Sequence, residues 1–254
     1  FYILTLETLS LAFQLQLILF LFYPIPLRIY LLLYNSFLSI YILLIRTANI
    51  SIIITLATTI YFMPLLLKKQ DNNISVYIWK INETIENLIE MYPDINFKEF
   101  RLEKRTLENL CTRILLKNHS KELKISYSKN GAPKLNNNEN ISISHCNNLV
   151  SVAISKNPIG LDIEEISKKS FKVQSKFVND NQTNLTNEKS TLIWCIKESV
   201  FKYHGIGNVN FKDDIFIPDF SEKIKGILDV KFKNTFLKAH FFKIENKYLV
   251  YVCK

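Results

Sequence analysis

The sequence predicts an α+β fold preceded by a hydrophobic N-terminal segment, and three observations carry that reading. Charge is unevenly distributed: residues 1–67 hold only Glu7, Arg28 and Arg46, while the remainder of the 254-residue chain holds every other acidic and basic side chain. The part beyond residue 67 therefore has ordinary globular composition, with enough length for one domain or two small similar lobes. Its periodicities run strand, helices, strands, then helices and strands again, so the second half roughly repeats the first in element order, although no sequence repeat is visible.

Taken in order, the runs 9–23, 27–45 and 50–62 are strongly apolar, and the middle one approaches the roughly 20 residues that span a bilayer. Residues 1–62 contain neither Gly nor Lys, and the charged lead and small-residue cleavage site of a signal peptide are missing. The first methionine is Met63, followed by a short lead and then a strand alternating Ile74, Val76 and Ile78. The expectation is that the native protein starts at Met63 and that 1–62 is upstream read-through; the alternative is a membrane anchor.

Beyond Met63 the pattern predicts a strand at 74–81, a short helix at 83–91, and an amphipathic helix at 97–117 with Phe100, Leu107, Leu110, Ile114 and Leu115 at helical spacing. A strand at 123–128 leads to the turn Lys129-Asn130-Gly131-Ala132-Pro133, and Asn136–Asn140 reads as a loop. Strands follow at 141–145, 149–155 and 159–164, helices at 169–178 and 188–204, and a three-strand meander at 225–232, 235–244 and 247–253. Cys111, Cys146, Cys195 and Cys253 form no C-x-x-C pair, and no His stands at metal-ligand spacing. That excludes a disulfide-stapled miniprotein and structural zinc, and suits reduced thiols in a cytoplasmic protein.

Two acidic sites stand out. In Ile159-Gly160-Leu161-Asp162-Ile163-Glu164, an extended strand projects Asp162 and Glu164 from one face and Leu161 and Ile163 from the other. Such carboxylates repel unless a cation lies between them, although an isolated D-x-E is most often a solvated strand edge. In Trp194-Cys195-Ile196-Lys197-Glu198-Ser199-Val200-Phe201-Lys202, Glu198 and Lys202 are i and i+4, which alone reads as a surface ion pair. Trp194 shares their helix face and could as easily belong to the core.

Taken together, GAPKL, ISISH, IGLDIE and WCIKESVFK occur in the order and spacing of a known set. The string resembles the Sfp-type 4′-phosphopantetheinyl transferase family, whose marks are a G-x-P turn, an S-H strand end, a G-[IV]-D-[IVL]-E strand and a W-x-x-K-E-[AS]-x-x-K helix. The resemblance covers about residues 63–254. It implies a pseudo-two-fold fold of two similar lobes, 63–148 and 149–254, with a boundary near 147–152 and the metal site in the second lobe. It implies transfer of the 4′-phosphopantetheine group from coenzyme A to a serine of an apo carrier protein, releasing adenosine 3′,5′-bisphosphate. It also implies a monomer with the site in the cleft between the lobes.

By the same resemblance, Asp162, Glu164 and Glu198 hold Mg²⁺, Glu198 is the general base, and Lys202 stabilises the pyrophosphate or its leaving group. Lys197 is a second, weaker candidate for that role. Arg113, in Arg113-Ile114-Leu115-Leu116, matches the arginine that meets the nucleotide phosphates, and Ser144 and His145 match the S-H pair at the nucleotide end of coenzyme A. Lys104 and Arg105 are weaker coenzyme A candidates in a run that also suits a solvated helix face. The chain departs from the pattern at Ala132, where relatives carry Lys or Arg, so that Lys134 is the substitute cation, and at Cys146, where relatives carry Ser or Thr.

The net charge of +9 suits coenzyme A and an acidic carrier, and equally an alternative of another class: a basic module, membrane-attached if residues 1–62 are real, that binds nucleic acid or anionic lipid. Glu99, Glu103 and Glu108 break the basic stretches and no nucleic-acid motif is present, so the expectation is a transferase that binds neither nucleic acid nor membrane.

Overall fold

Two β-sheets share a core and each carries a long helix on its outer face, in a computed structural model that describes residues 65–71 and 73–254. The proposed start at Met63 and the nature of segment 1–62 lie outside the described residues. Among the described residues no helix is long and apolar enough to cross a membrane.

The first sheet has the order β1-β2-β6-β5, all neighbours antiparallel, from β1 (Leu65–Asp71), β2 (Ile74–Lys80), β5 (Asn140–Cys146) and β6 (Leu149–Ser155). Helix α1 (Ile85–Met91) and the long α2 (Glu103–His119) follow β2, and the small hairpin of β3 (Ile125–Tyr127) and β4 (Pro133–Leu135) turns through Gly131 at φ +79°. Alternation decides the layers: Tyr77, Trp79, Val150 and Val152 face α2, where they meet Leu110 and Ile114, while Val76, Ile78 and Ala153 face the second sheet.

The second sheet has the order β7-β11-β10-β9-β8, from β7 (Gly160–Glu165), β8 (Ile215–Phe216), β9 (Lys225–Phe232), β10 (Thr235–Ile244) and β11 (Lys247–Cys253). Leu161, Ile163, Leu249 and Tyr251 supply its half of the shared core. Tyr248, Val250 and Val252 point the other way, onto α4 (Asn187–His204), which follows the short α3 (Lys168–Lys172) and a 3₁₀ turn at Gln174–Lys176. Helix α4 starts where Thr186 accepts the Lys189 amide at 3.0 Å and stops at Gly205, left-handed at φ +70°. All four cysteines are free thiols.

The structure sharpens several expectations. Helix α2 begins at Glu103 rather than 97, because Asn109 and Thr106 accept the amides of Lys98 and Phe100 at 2.9 Å each and hold the preceding segment extended. The helix expected at 169–178 is one short helix and a 3₁₀ turn, and β1, β4 and the two-residue β8 had no clear period-2 signal. Strand 149–155 pairs with β2 and β5, so the chain changes sheets at residues 156–159 rather than near 147–152.

Candidate active site

Side-chain hydroxyls join the two sheets where β5 passes β7. Ser142 Oγ accepts the Leu161 amide at 2.8 Å, and Ser144 Oγ accepts the Ile163 amide at 3.3 Å. Two serines at i and i+2 on one strand thus replace the main-chain ladder between the halves. Ser144 also donates to Asp162 Oδ1 at 2.7 Å, so this expected coenzyme A contact is buried beneath a carboxylate, where it orients Asp162.

The β7 pleat puts Gly160, Asp162 and Glu164 on the face that meets α4. A Cβ at Gly160 would stand 1.9 Å from the Ser199 carbonyl oxygen and 2.5 Å from the Tyr203 amide nitrogen, so only glycine admits this helix backbone so close to the strand. The close approach brings the stripe Trp194, Glu198 and Lys202 over the carboxylates. Lys202 Nζ donates to Asp162 Oδ1 at 2.7 Å, and Trp194 Nε1 donates to Glu164 Oε1 at 3.2 Å. Lys202 thus reaches across to the strand rather than forming the surface pair with Glu198. Trp194 is held edge-on to Phe177 and tilted against Phe211, with ring centroids 5.1 and 5.5 Å away.

The electrostatics are those of crowded, partly dried carboxylates. Burial pushes the Glu198 carboxyl up to about 7, helped by the negative Asp162 and Glu164 and opposed by Lys202. Glu164 is raised for the same two leading reasons, burial and then Asp162, and the Trp194 and Lys202 contacts hold it back. Asp162 is 4% exposed and its Oδ2 is buried without a hydrogen-bond partner. A buried carboxylate oxygen without a partner, beside two acids raised by burial and then by mutual repulsion, is a donor set suited to a hard cation. Among the described residues, no group of three or more His, Cys, Asp or Glu converges closely enough to enclose a metal unaided. The residues fit Mg²⁺ in its usual mode, bound by one or two carboxylates and completed by substrate phosphates and water.

A second cluster, of basic groups, lies on α2 and the end of β5. Arg105 Nη1 lies 2.9 Å from His145 Nε2, and Glu108 reaches Arg105 at 3.3 Å and His145 Nδ1 at 3.4 Å. Lys202 is near enough to help lower the His145 pKa, behind burial and opposed by Glu108, so the two sides share one electrostatic environment. Arg113, further along α2, has a buried Nη1 with no partner. Lys104 is mostly exposed, 3.9 Å from Glu108, and Lys134 is exposed on the β3–β4 hairpin.

Lys197 lies outside the site. It is fully buried on the core side of α4, donating to Asn179 Oδ1 at 3.1 Å and to the Phe211 and Ile215 carbonyls, and burial pulls its pKa down to about 7. Its position one residue off Glu198 on the helix was the sequence signal that it is aimed elsewhere. Sequence reasoning missed Glu108, whose i+3 and i+4 spacing to Arg105 and Lys104 was the only hint. Cys146 is partly buried and burial raises its thiol pKa, which does not suit a nucleophile.

Residues 158–253 match the family model described as the 4′-phosphopantetheinyl transferase superfamily. Over this stretch, less than half of its length, the chain is similar to that superfamily. The matched stretch runs from the residue before Ile159 through β7, α4 and the C-terminal meander, and so contains Asp162, Glu164, Glu198 and Lys202. The chain is also 34% identical over 93 residues to the 4′-phosphopantetheinyl transferase gsp of Aneurinibacillus migulanus. That alignment covers 33% of this chain and 39% of the relative, so the chain spans less than half the length of the curated relative it matches.

Proposed function

We propose that this chain transfers the 4′-phosphopantetheine group of coenzyme A to a serine hydroxyl of an apo carrier protein, with Mg²⁺, releasing adenosine 3′,5′-bisphosphate. The observation that supports it most is the charge arrangement at β7 and α4: an orphaned Asp162 oxygen, two raised glutamates and one lysine. In this reading Asp162, Glu164 and Glu198 hold the metal, Ser144 and Trp194 orient the first two, and the two lobes, parted at residues 156–159, meet at the site in a monomeric, cytoplasmic enzyme. Bound Mg²⁺ would neutralise charge on the pyrophosphate and align it for in-line attack.

The chain's own groups account for the rest. Glu198, with a carboxyl pKa near neutrality, takes the serine proton as attack begins, the condition under which a general base is most effective. Lys202, released from Asp162 as the ligand enters, stabilises the departing phosphate oxygen. Arg113, Arg105 and His145 bind the nucleotide end, with Lys104 and Lys134 as outlying cations. The test is to mix the chain, Mg²⁺, coenzyme A and an apo carrier protein and look for a carrier mass increased by one phosphopantetheine arm. No gain across fatty-acid, polyketide and nonribosomal-peptide carriers would refute the reading.

A further inference from the structure

The acid between the basic residues of α2 is not part of a solvated helix face. The Glu108 side chain is 6% exposed, whereas Arg105 beside it is 55% exposed and His145, from the other element, 36%. Its Oε2 accepts from Arg105 Nη1 at 3.3 Å, its Oε1 lies 3.4 Å from His145 Nδ1, and Lys104 stands 3.9 Å away. A carboxylate this deep is tolerated only when paired, so the placement of its partners is energetically enforced.

We propose that Glu108 is the positioning residue of a phosphate-monoester site formed by Arg105 and His145, its buried carboxylate fixing the direction and balancing the charge of both groups. The proposal rests on the reading that these residues meet the nucleotide end of coenzyme A, which carries such a monoester. Arginine can only donate, so the 2.9 Å contact makes His145 Nε2 the acceptor and puts the ring proton on Nδ1, towards Glu108. An arriving phosphate dianion takes the Arg105 N–H groups in bidentate fashion, which frees Nε2. His145 then gains a proton and donates from Nε2 to the phosphate, while Nδ1–H stays on Glu108. The charged groups facing His145 are Glu108 and Arg105 from α2 and Lys202 from α4; only Glu108 favours the protonated ring in the free protein.

The test uses the full chain, with Glu108→Gln and Glu108→Asp as variants. In the parent, the His145 ring titrated by NMR should move to a higher pKa when adenosine 3′,5′-bisphosphate is added. Glu108→Gln should lower the ligand-free His145 pKa and weaken adenosine 3′,5′-bisphosphate binding about tenfold, the scale of one charge-assisted hydrogen bond. It should raise KM for coenzyme A with kcat within about twofold, and Glu108→Asp should recover most of the affinity. Coenzyme A lacking its 3′-phosphate should bind parent and Gln variant alike. A His145 titration that ignores both ligand and substitution, or unchanged affinity in a folded Gln variant, overturns the proposal. If the Gln variant does not fold, the ligand-dependent His145 shift in the parent decides alone. A parent that fails to bind adenosine 3′,5′-bisphosphate refutes the coenzyme A reading, and the same titrations with inorganic phosphate then decide whether the monoester site stands.

Discussion

Replacing Gly160 with alanine tests whether the close approach of α4 to β7 builds the site. The added Cβ would lie 1.9 Å from the Ser199 carbonyl oxygen, and an ordinary contact begins near 3.4 Å, so helix and strand must part by about 1.5 Å. Neither side yields easily, because the obstructing atoms are backbone and Ser199 Oγ is tied to the Cys195 and Val250 carbonyls at 2.8 and 3.1 Å. Overpacking of this kind costs about 1–3 kcal/mol, which lowers Tm by about 3–10 °C in a domain of this size. The same displacement would stretch the 2.7 Å Lys202–Asp162 contact past hydrogen-bonding range and move Glu198 with it. Misplacement by about 1 Å is enough to cost about 10²-fold in rate. The assay is thermal melting together with carrier modification measured well below Tm, so that stability and geometry are read separately. An alanine variant that melts within about 1 °C of the parent and keeps its rate would refute the argument that this contact sets the site.

Glu198→Gln should lower transfer by roughly 10²–10⁴-fold, the usual cost of losing a general base, and excess Mg²⁺ should not restore it; recovery to within a few-fold would reduce Glu198 to a metal-holding role. Without metal, a folded-state carboxyl raised to about 7 from the ordinary 4.5 contributes stability that is fully present below pH 4.5 and lost as pH rises through 7. The parent should therefore lose Tm relative to Glu198→Gln across that window and regain it with Mg²⁺, and a pH-independent difference would show that the carboxyl is not raised. Lys197→Met should leave the Asn179, Phe211 and Ile215 acceptors unpaired and cost about 2–4 kcal/mol in a denaturant melt, with activity per folded molecule within a few-fold. A large rate loss at unchanged stability would return Lys197 to the site.

What was legible in the sequence was what depends on local period. The alternation through Leu161, Asp162, Ile163 and Glu164 put each side chain on the side where the structure has it, and the meander strands match at their ends. What was hidden depends on meetings across the chain. Nothing in Ser142 or Ser144 reveals that β7, about 19 residues on, will offer its amides to their hydroxyls. The Glu198–Lys202 spacing was read correctly as one helix face, yet Asp162, 40 residues away, is the stronger attraction for the lysine. The point where the chain changes sheets is hidden because β6 is buried on both faces, so its composition marks it as central without saying to which sheet it belongs.

The serine joint between β5 and β7 also sets a length. Because the hydroxyls at residues 142 and 144 mesh with amides at 161 and 163, the two strands can sit only in steps of two residues relative to each other, and any smaller slip leaves buried N–H groups unpaired. His145 directly follows one tooth of this rack and Asp162 lies between the two amides it engages. The span from the Arg105–His145 pair to the carboxylates is therefore a gauge cut into the backbone rather than a property of mobile side chains. A ligand that touches both ends is selected by how far apart its charges are before any single contact has been judged.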